Sequence, residues 1–199
     1  MSELEDSAQQ AIDQGRDARL NSLVAICVAA AATFMALCNV KDGNIVQAMS
    51  QAQSHAVDTW TYYQAKGTKE NLAEGDAESL TVARDTAREL TTDGRATYDR
   101  KIAEYKARAV AYGNEKLKIR REAEDFEREY DRLNVHDDQF DAAEACLTVC
   151  IALFSVTALT RKRWLLGLAL AMMAFGVVFG LSGFLGLGLH PDFLSHLLG

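Results

Sequence analysis

Three apolar runs, 20–40, 142–160 and 164–189, interrupt an otherwise polar chain; the first and third hold no charged residue and the second holds only Glu144. Each is about as long as the roughly 20 helical residues that cross a bilayer's hydrocarbon core. A helix is also the one open structure that satisfies all its backbone amides in lipid. The pattern therefore predicts an all-α membrane protein with three transmembrane helices and a polar insert, 41–141, between the first and second. The first run reads as an anchor rather than a cleaved secretory signal. Acids outnumber bases in the segment 1–19 before it, where only Arg16 and Arg19 are basic, and the run is longer than a signal's apolar region. Cys38 follows Leu37, where lipoprotein processing needs a small residue, so lipidation is not expected.

Within the insert the apolar period changes to that of a coiled coil. With Tyr98 taken as a d position, d runs Tyr98, Tyr105, Tyr112, Ile119, Phe126, Leu133, Phe140, and a runs Ile102, Ala109, Lys116, Ala123, Tyr130, Asp137. Only Lys116 and Asp137 interrupt that seam, and charged residues flank it. The same phase continues through Glu144, Leu147, Ile151, Phe154 and Ala158, which predicts one helix from about Arg95 to Thr160. The preceding arm shows two weaker stripes, Ile45, Met49, Ala52, Ala56, Trp60, Tyr63 and then Ala73, Ala77, Leu80, Ala83, Ala87, Leu90. Gly67 and Gly75 lie between or within them, and each weakens a helix by about 1 kcal/mol relative to alanine. Asp42, Gly43 and Asn44 suggest a bend just after the first run. Thr91, Thr92, Asp93 and Gly94 form the clearest turn signal and divide the insert nearly in half. Two matched arms about a tip near 91–94 predict a long antiparallel helical hairpin.

Charge adds an orientation. Arg161, Lys162 and Arg163 form a short basic turn, 161–163, between the second and third runs, and Trp164 follows at the interface. Short basic loops stay on the cytoplasmic side, which places 1–19 inside and both the hairpin and the tail 190–199 outside. Mean hydropathy is close to zero and a quarter of the residues are charged, values that alone would suggest a soluble domain; they average over strictly segregated segments. The net charge of -7 opposes nucleic-acid binding.

Two short segments carry a resemblance. Asp58, Trp60, Tyr63, Gln64, Lys66 and Lys69, within 58–69, and the Leu-Thr-Arg-Lys-Arg-Trp-Leu stretch at 159–165 resemble the recurring segments of a bacterial family of membrane proteins, the domain of unknown function DUF4337. The order of runs and insert agrees along nearly the whole chain. The resemblance implies a protein of the bacterial inner (plasma) membrane, where the outward hairpin given by the basic turn would be periplasmic, and brings no activity or catalytic residues with it.

Chemistry-bearing candidates are few. Glu144 is an acid within a predicted span, where acids are rare; pairing with Lys41, or exposure at the interface three residues after Asp141, competes with a role in moving protons or ions. Trp60 and Tyr63 beside Lys66 and Lys69 suit an anionic or aromatic ligand, or else the aromatics fill the seam while the lysines stay solvated. His136 with Asp137 and Asp138, and His190 with Asp192 and His196, lie on the outer side and are weak candidates for a metal. Cys27, Cys38, Cys146 and Cys150 form no Cys-x-x-Cys motif, although Cys38 and Cys146 fall near one membrane face, where a disulfide is conceivable. Gly176 and Gly180 have the spacing of close helix packing, continued by Gly183, against this chain or another copy. No phosphate loop, hydrolase elbow or zinc-protease motif appears, so neither enzymatic activity nor a cofactor is expected. The aromatic seam of Tyr98, Ile102, Tyr105, Tyr112, Ile119, Phe126, Tyr130 and Leu133 suggests a homo-oligomeric scaffold in membrane lipid. A channel using Glu144, or an accessory subunit bound to another membrane protein, is the alternative.

Overall fold

The computed structural model describes the backbone of residues 2–187 and the side chains of 9–10 and 14–187. All regular structure among these residues is helical: α1 spans Ser2–Thr86, α2 spans Thr92–Thr160 and α3 spans Arg163–Leu185. Each contains a window long and apolar enough to cross a membrane. The helices divide between two compact units, one formed by 1–48 with 132–199 and the other by 49–131.

In the first unit all three helices pack around Val24, Ala31, Leu147, Cys150, Phe154 and Ala169. The glycines of α3 make that packing close. A Cβ on Gly176 would stand 2.8 Å from Cγ of Leu147, and one on Gly180 would stand 2.7 Å from the Phe34 ring. One glycine thus admits α2 and the next admits α1, so the small-residue face is filled from within the chain. Gly186 ends α3 in the left-handed region, φ 65°, three residues short of the predicted end of the run. Gln139, fully buried, donates from Nε2 to the Leu187 carbonyl at 2.7 Å and ties down that end.

In the second unit α1 and α2 pack side by side. The contacts run from Arg84 with Asp99, through Lys66 with Glu115 and Glu70 with Lys116, to Trp60 with Glu127. On α2, Ile102, Ala109, Ile119 and Ala123 are buried, and Tyr98, Tyr105, Tyr112, Lys116, Phe126 and Tyr130 are half-buried, as the heptad phase requires. On α1, Met49, Ala52, Ala56, Ala73 and Ala77 are buried. Lys66, Gly67 and Glu70 fill the interval between those two stripes, while Ala83 and Ala87 are exposed.

Three sequence expectations are corrected. No bend occurs at 42–44, and Gly67 and Gly75 do not interrupt α1. Burial of Ile45 and Met49 on one face stabilises the helix by packing, which outweighs a propensity penalty. The chain reverses at 87–91 rather than 91–94, because Thr91 starts α2 instead of turning. Its Oγ1 accepts from the Gly94 amide at 3.1 Å, as a helix N-cap does, with Asp93 favourably placed in the first turn. Arg163 belongs to α3, which shortens the basic turn to two residues.

Candidate functional site

One concentration of polar chemistry in the first unit is acidic and was only partly visible in the sequence. The carboxyls of Asp42 and Asp137 are hydrogen-bonded to each other, with Asp141 and Glu144 close enough to act on Asp42 by charge. Two carboxyls in contact hold a proton more tightly than either does alone. Burial, followed by the Asp137 charge, pushes Asp42 up to about 7. Asp137 is raised by burial and by Asp138, and Asp141 by burial and by Asp137. Oδ1 of Asp42 is buried and meets no hydrogen-bond donor among the described residues. Sequence reading had each half separately: Asp137 as an interruption of the seam and Asp42 as a helix breaker. The one signal linking them is that both fall near the ends of their arms away from the tip.

Of the two structural settings expected for Glu144, exposure and pairing with Lys41, the structure has the first. It is solvent-facing while its seam neighbours Phe140 and Leu147 are buried, and it forms no ion pair with Lys41 among the described residues. Its electrostatic neighbour is Asp42. His136 approaches Oε1 of Gln139 at 3.4 Å. His190, Asp192 and His196 lie outside the described residues, within which no group of three or more His, Cys, Asp or Glu is placed to hold a metal. All four cysteines are free; Cys38, Cys146 and Cys150 are buried.

The segment 58–69 is resolved into an interhelical lock. Trp60 donates from Nε1 to Oε1 of Glu127 at 2.8 Å and meets Tyr63 edge-on, with ring centroids 5.3 Å apart. Lys66 is not solvated: its side chain is 12% exposed where it pairs with Glu115, and its Nζ lies 5.3 Å from the ring centres of both Tyr62 and Tyr112. Lys116, the apparent flaw in the seam, pairs with Glu70, and the two side chains are 26% and 19% exposed. Gly113 makes room for that pair, since a Cβ there would stand 2.7 Å from Oε1 of Glu70. Asp58, Gln64 and Lys69 are exposed. The carboxylates that an external anion would have supplied are therefore provided by α2, and the segment's chemistry is used in joining two helices.

At the opposite end of the first unit, Arg161, Lys162, Arg163 and Trp164 are all exposed. Arg161 pairs with Asp17 and has a positive φ of 55°. A family model described as Domain of unknown function (DUF4337) matches residues 20–186. No curated protein and no solved structure matches the chain.

Proposed function

The chain belongs to the DUF4337 family, and from that premise we propose that it is a non-enzymatic membrane scaffold. Its three apolar helices are transmembrane, an antiparallel coiled-coil hairpin joins the first to the second, and copies associate through the hairpin. The observation that carries this reading is a second apolar stripe on α2. Val110 and Leu117, seven residues apart, are 65% and 55% exposed, and Val110 stands at the edge of the groove between α1 and α2. A heptad interval on an exposed face is what a further coiled-coil partner requires.

A second copy of the chain suits that face by charge. Beside Val110 a groove of about 600 Å3 is lined by Glu70, Glu74 and Glu78, with Lys106 opposite. The stretch 95–121 of α2 carries nine bases and three acids, so the α2 of a neighbour brings positive charge to an acidic wall. The basic turn and the bases near the first span support a cytoplasmic N-terminus with the hairpin outside, which is the periplasm in a bacterial inner membrane.

The mass of the particle in nanodiscs tests the proposal. Wild type is expected to contain several copies, and Val110→Glu with Leu117→Glu is expected to reduce it to one at unchanged helical content. An unchanged copy number in that variant rules out the hairpin as the site of association. The exposed Glu144 beside Asp42 favours one alternative, a channel in which several copies surround a polar path. Ion or proton flux in liposomes that disappears with Glu144→Gln would support it, and well-folded protein that passes none would dismiss it.

A further inference from the structure

We propose that a cleft at the α2–α3 turn binds the phosphate head group of an anionic phospholipid; this rests on the membrane placement put forward above. The cleft has a volume of about 700 Å3 and is lined by Arg16, Asp17, Arg19, Leu20, Leu23, Arg161, Arg163 and Leu166. Its composition is that of a head-group site: four guanidiniums at one end of the apolar windows, and three leucines where those windows begin. Asp17 is its one acid and is already paired with Arg161. Arg16, Arg19 and Arg163 form no ion pair among the described residues, so within these the cleft holds three delocalised cations beyond the paired Arg161. Guanidinium forks match phosphate oxygens two at a time, and basic pockets on the inner side of a bilayer are a recurrent form of lipid recognition.

The backbone supplies an independent indication. Arg161 sits at φ 55°, a left-handed conformation in which a side chain with a Cβ is uncommon and glycine or asparagine is favoured. An arginine held there, with its amide bonded to the Thr157 carbonyl at 2.8 Å, directs a guanidinium onto Asp17 and draws α1 against the turn. The arrangement closes one wall of the cleft with an internal ion pair and leaves the other three arginines available. Nor is α3 capped by a side chain at Lys162. The positive end of its backbone dipole therefore adds to the same field.

The shared chemistry is a phosphate ester or free phosphate, and the test separates the two. Full-length protein is reconstituted in nanodiscs of phosphatidylcholine with phosphatidylglycerol, re-extracted gently, and its retained lipid counted by native mass spectrometry. Wild type is expected to retain phosphatidylglycerol in preference to phosphatidylcholine. Arg16→Gln, Arg19→Gln and Arg163→Gln together should weaken that retention on the order of a hundredfold, since each base near an anionic surface contributes about fivefold. Gln9→Arg and Gln10→Arg are added to this variant to restore two of the three inner bases and so hold the orientation. Should the triple variant fail to fold, single substitutions, each lowering retention roughly fivefold, give the same reading. Removing Arg100, Lys118 and Arg121, outside the cleft, should change nothing. Equal retention of both lipids by wild type, or undiminished retention by the triple variant, overturns the site. So does stabilisation by inorganic phosphate in neutral nanodiscs without any lipid preference. Protein recovered in the soluble fraction would overturn the membrane reading itself.

Discussion

Alanine at Gly176 sets close packing against helix propensity on a single helix. In a helix interior alanine is favoured over glycine by about 1 kcal/mol. Gly167, also in α3, has nothing within 4 Å of the place a Cβ would take, so Gly167→Ala should show that gain nearly undiminished. At Gly176 the added carbon would meet Cγ of Leu147 at 2.8 Å and the backbone oxygen of Ala143 at 3.1 Å. Neither neighbour moves easily: the first is the branch point of a fully buried side chain, and the second belongs to the backbone of α2. Carbon atoms prefer separations of about 3.5–4.0 Å, so α3 must shift outward, and overpacking of this kind costs about 1–3 kcal/mol. The propensity gain is common to both variants, which leaves Gly176→Ala below Gly167→Ala by that same ~1–3 kcal/mol. At about 2–4 °C per kcal/mol for a chain of this length, the midpoints should differ by several degrees. Thermal unfolding in nanodiscs, followed by helical circular dichroism, measures the difference. If Gly176→Ala melts with or above Gly167→Ala, the internal packing of the glycine face is refuted.

Three other outcomes are expected. Asp42 titrates near 7 when folded against a reference of 3.8, so the native state binds the extra proton. Its stabilising effect is full below about pH 4 and is lost as pH rises through 7. Asp42→Asn should therefore flatten the decline of the melting temperature between pH 4 and 7, although Asp137 and Asp141 keep part of the slope; an unchanged profile would exclude the shared proton. For the seam pair, Lys116→Met alone strands Glu70 and should destabilise, while Lys116→Met with Glu70→Met should recover most of the loss, as a double-mutant cycle of denaturation midpoints can establish. For topology, Arg88→Cys should react with an impermeant thiol reagent in intact spheroplasts, whereas protection would place the 87–91 reversal on the cytoplasmic side.

Much of the fold was legible because bilayer length and heptad phase are long-range signals repeated many times. Ile102, Ala109, Ile119, Ala123, Phe140, Leu147 and Phe154 all fall on the predicted seam and are buried. Helix ends were less legible, because each depends on a single local bond. Thr91 caps a helix with the same residues that read as a turn, and only the hydrogen bond to the Gly94 amide distinguishes the two. The polar sites were legible one residue at a time. Lys116 and Asp137 stood out as interruptions, but their partners Glu70 and Asp42 lie on the other arm, and no periodicity within one arm reveals a contact across two. The basic cleft has the same character, since Arg16 and Arg163 meet only when the end of α2 returns to the start of α1.

The lock between Glu70 and Lys116 also bears on how the two arms find their alignment. Much of the buried surface of α1 in the second unit is alanine, at Ala52, Ala56, Ala73 and Ala77, and so small a side chain offers a facing helix little shape by which to fix its register. The register must then be marked by the larger and charged residues between the alanines. A slip of seven residues along α1 would set Lys116 against Ala77 or Tyr63 and leave two half-buried charges without partners. The ion pair thus marks one alignment of the two arms, because any other leaves its two charges unpaired at this layer.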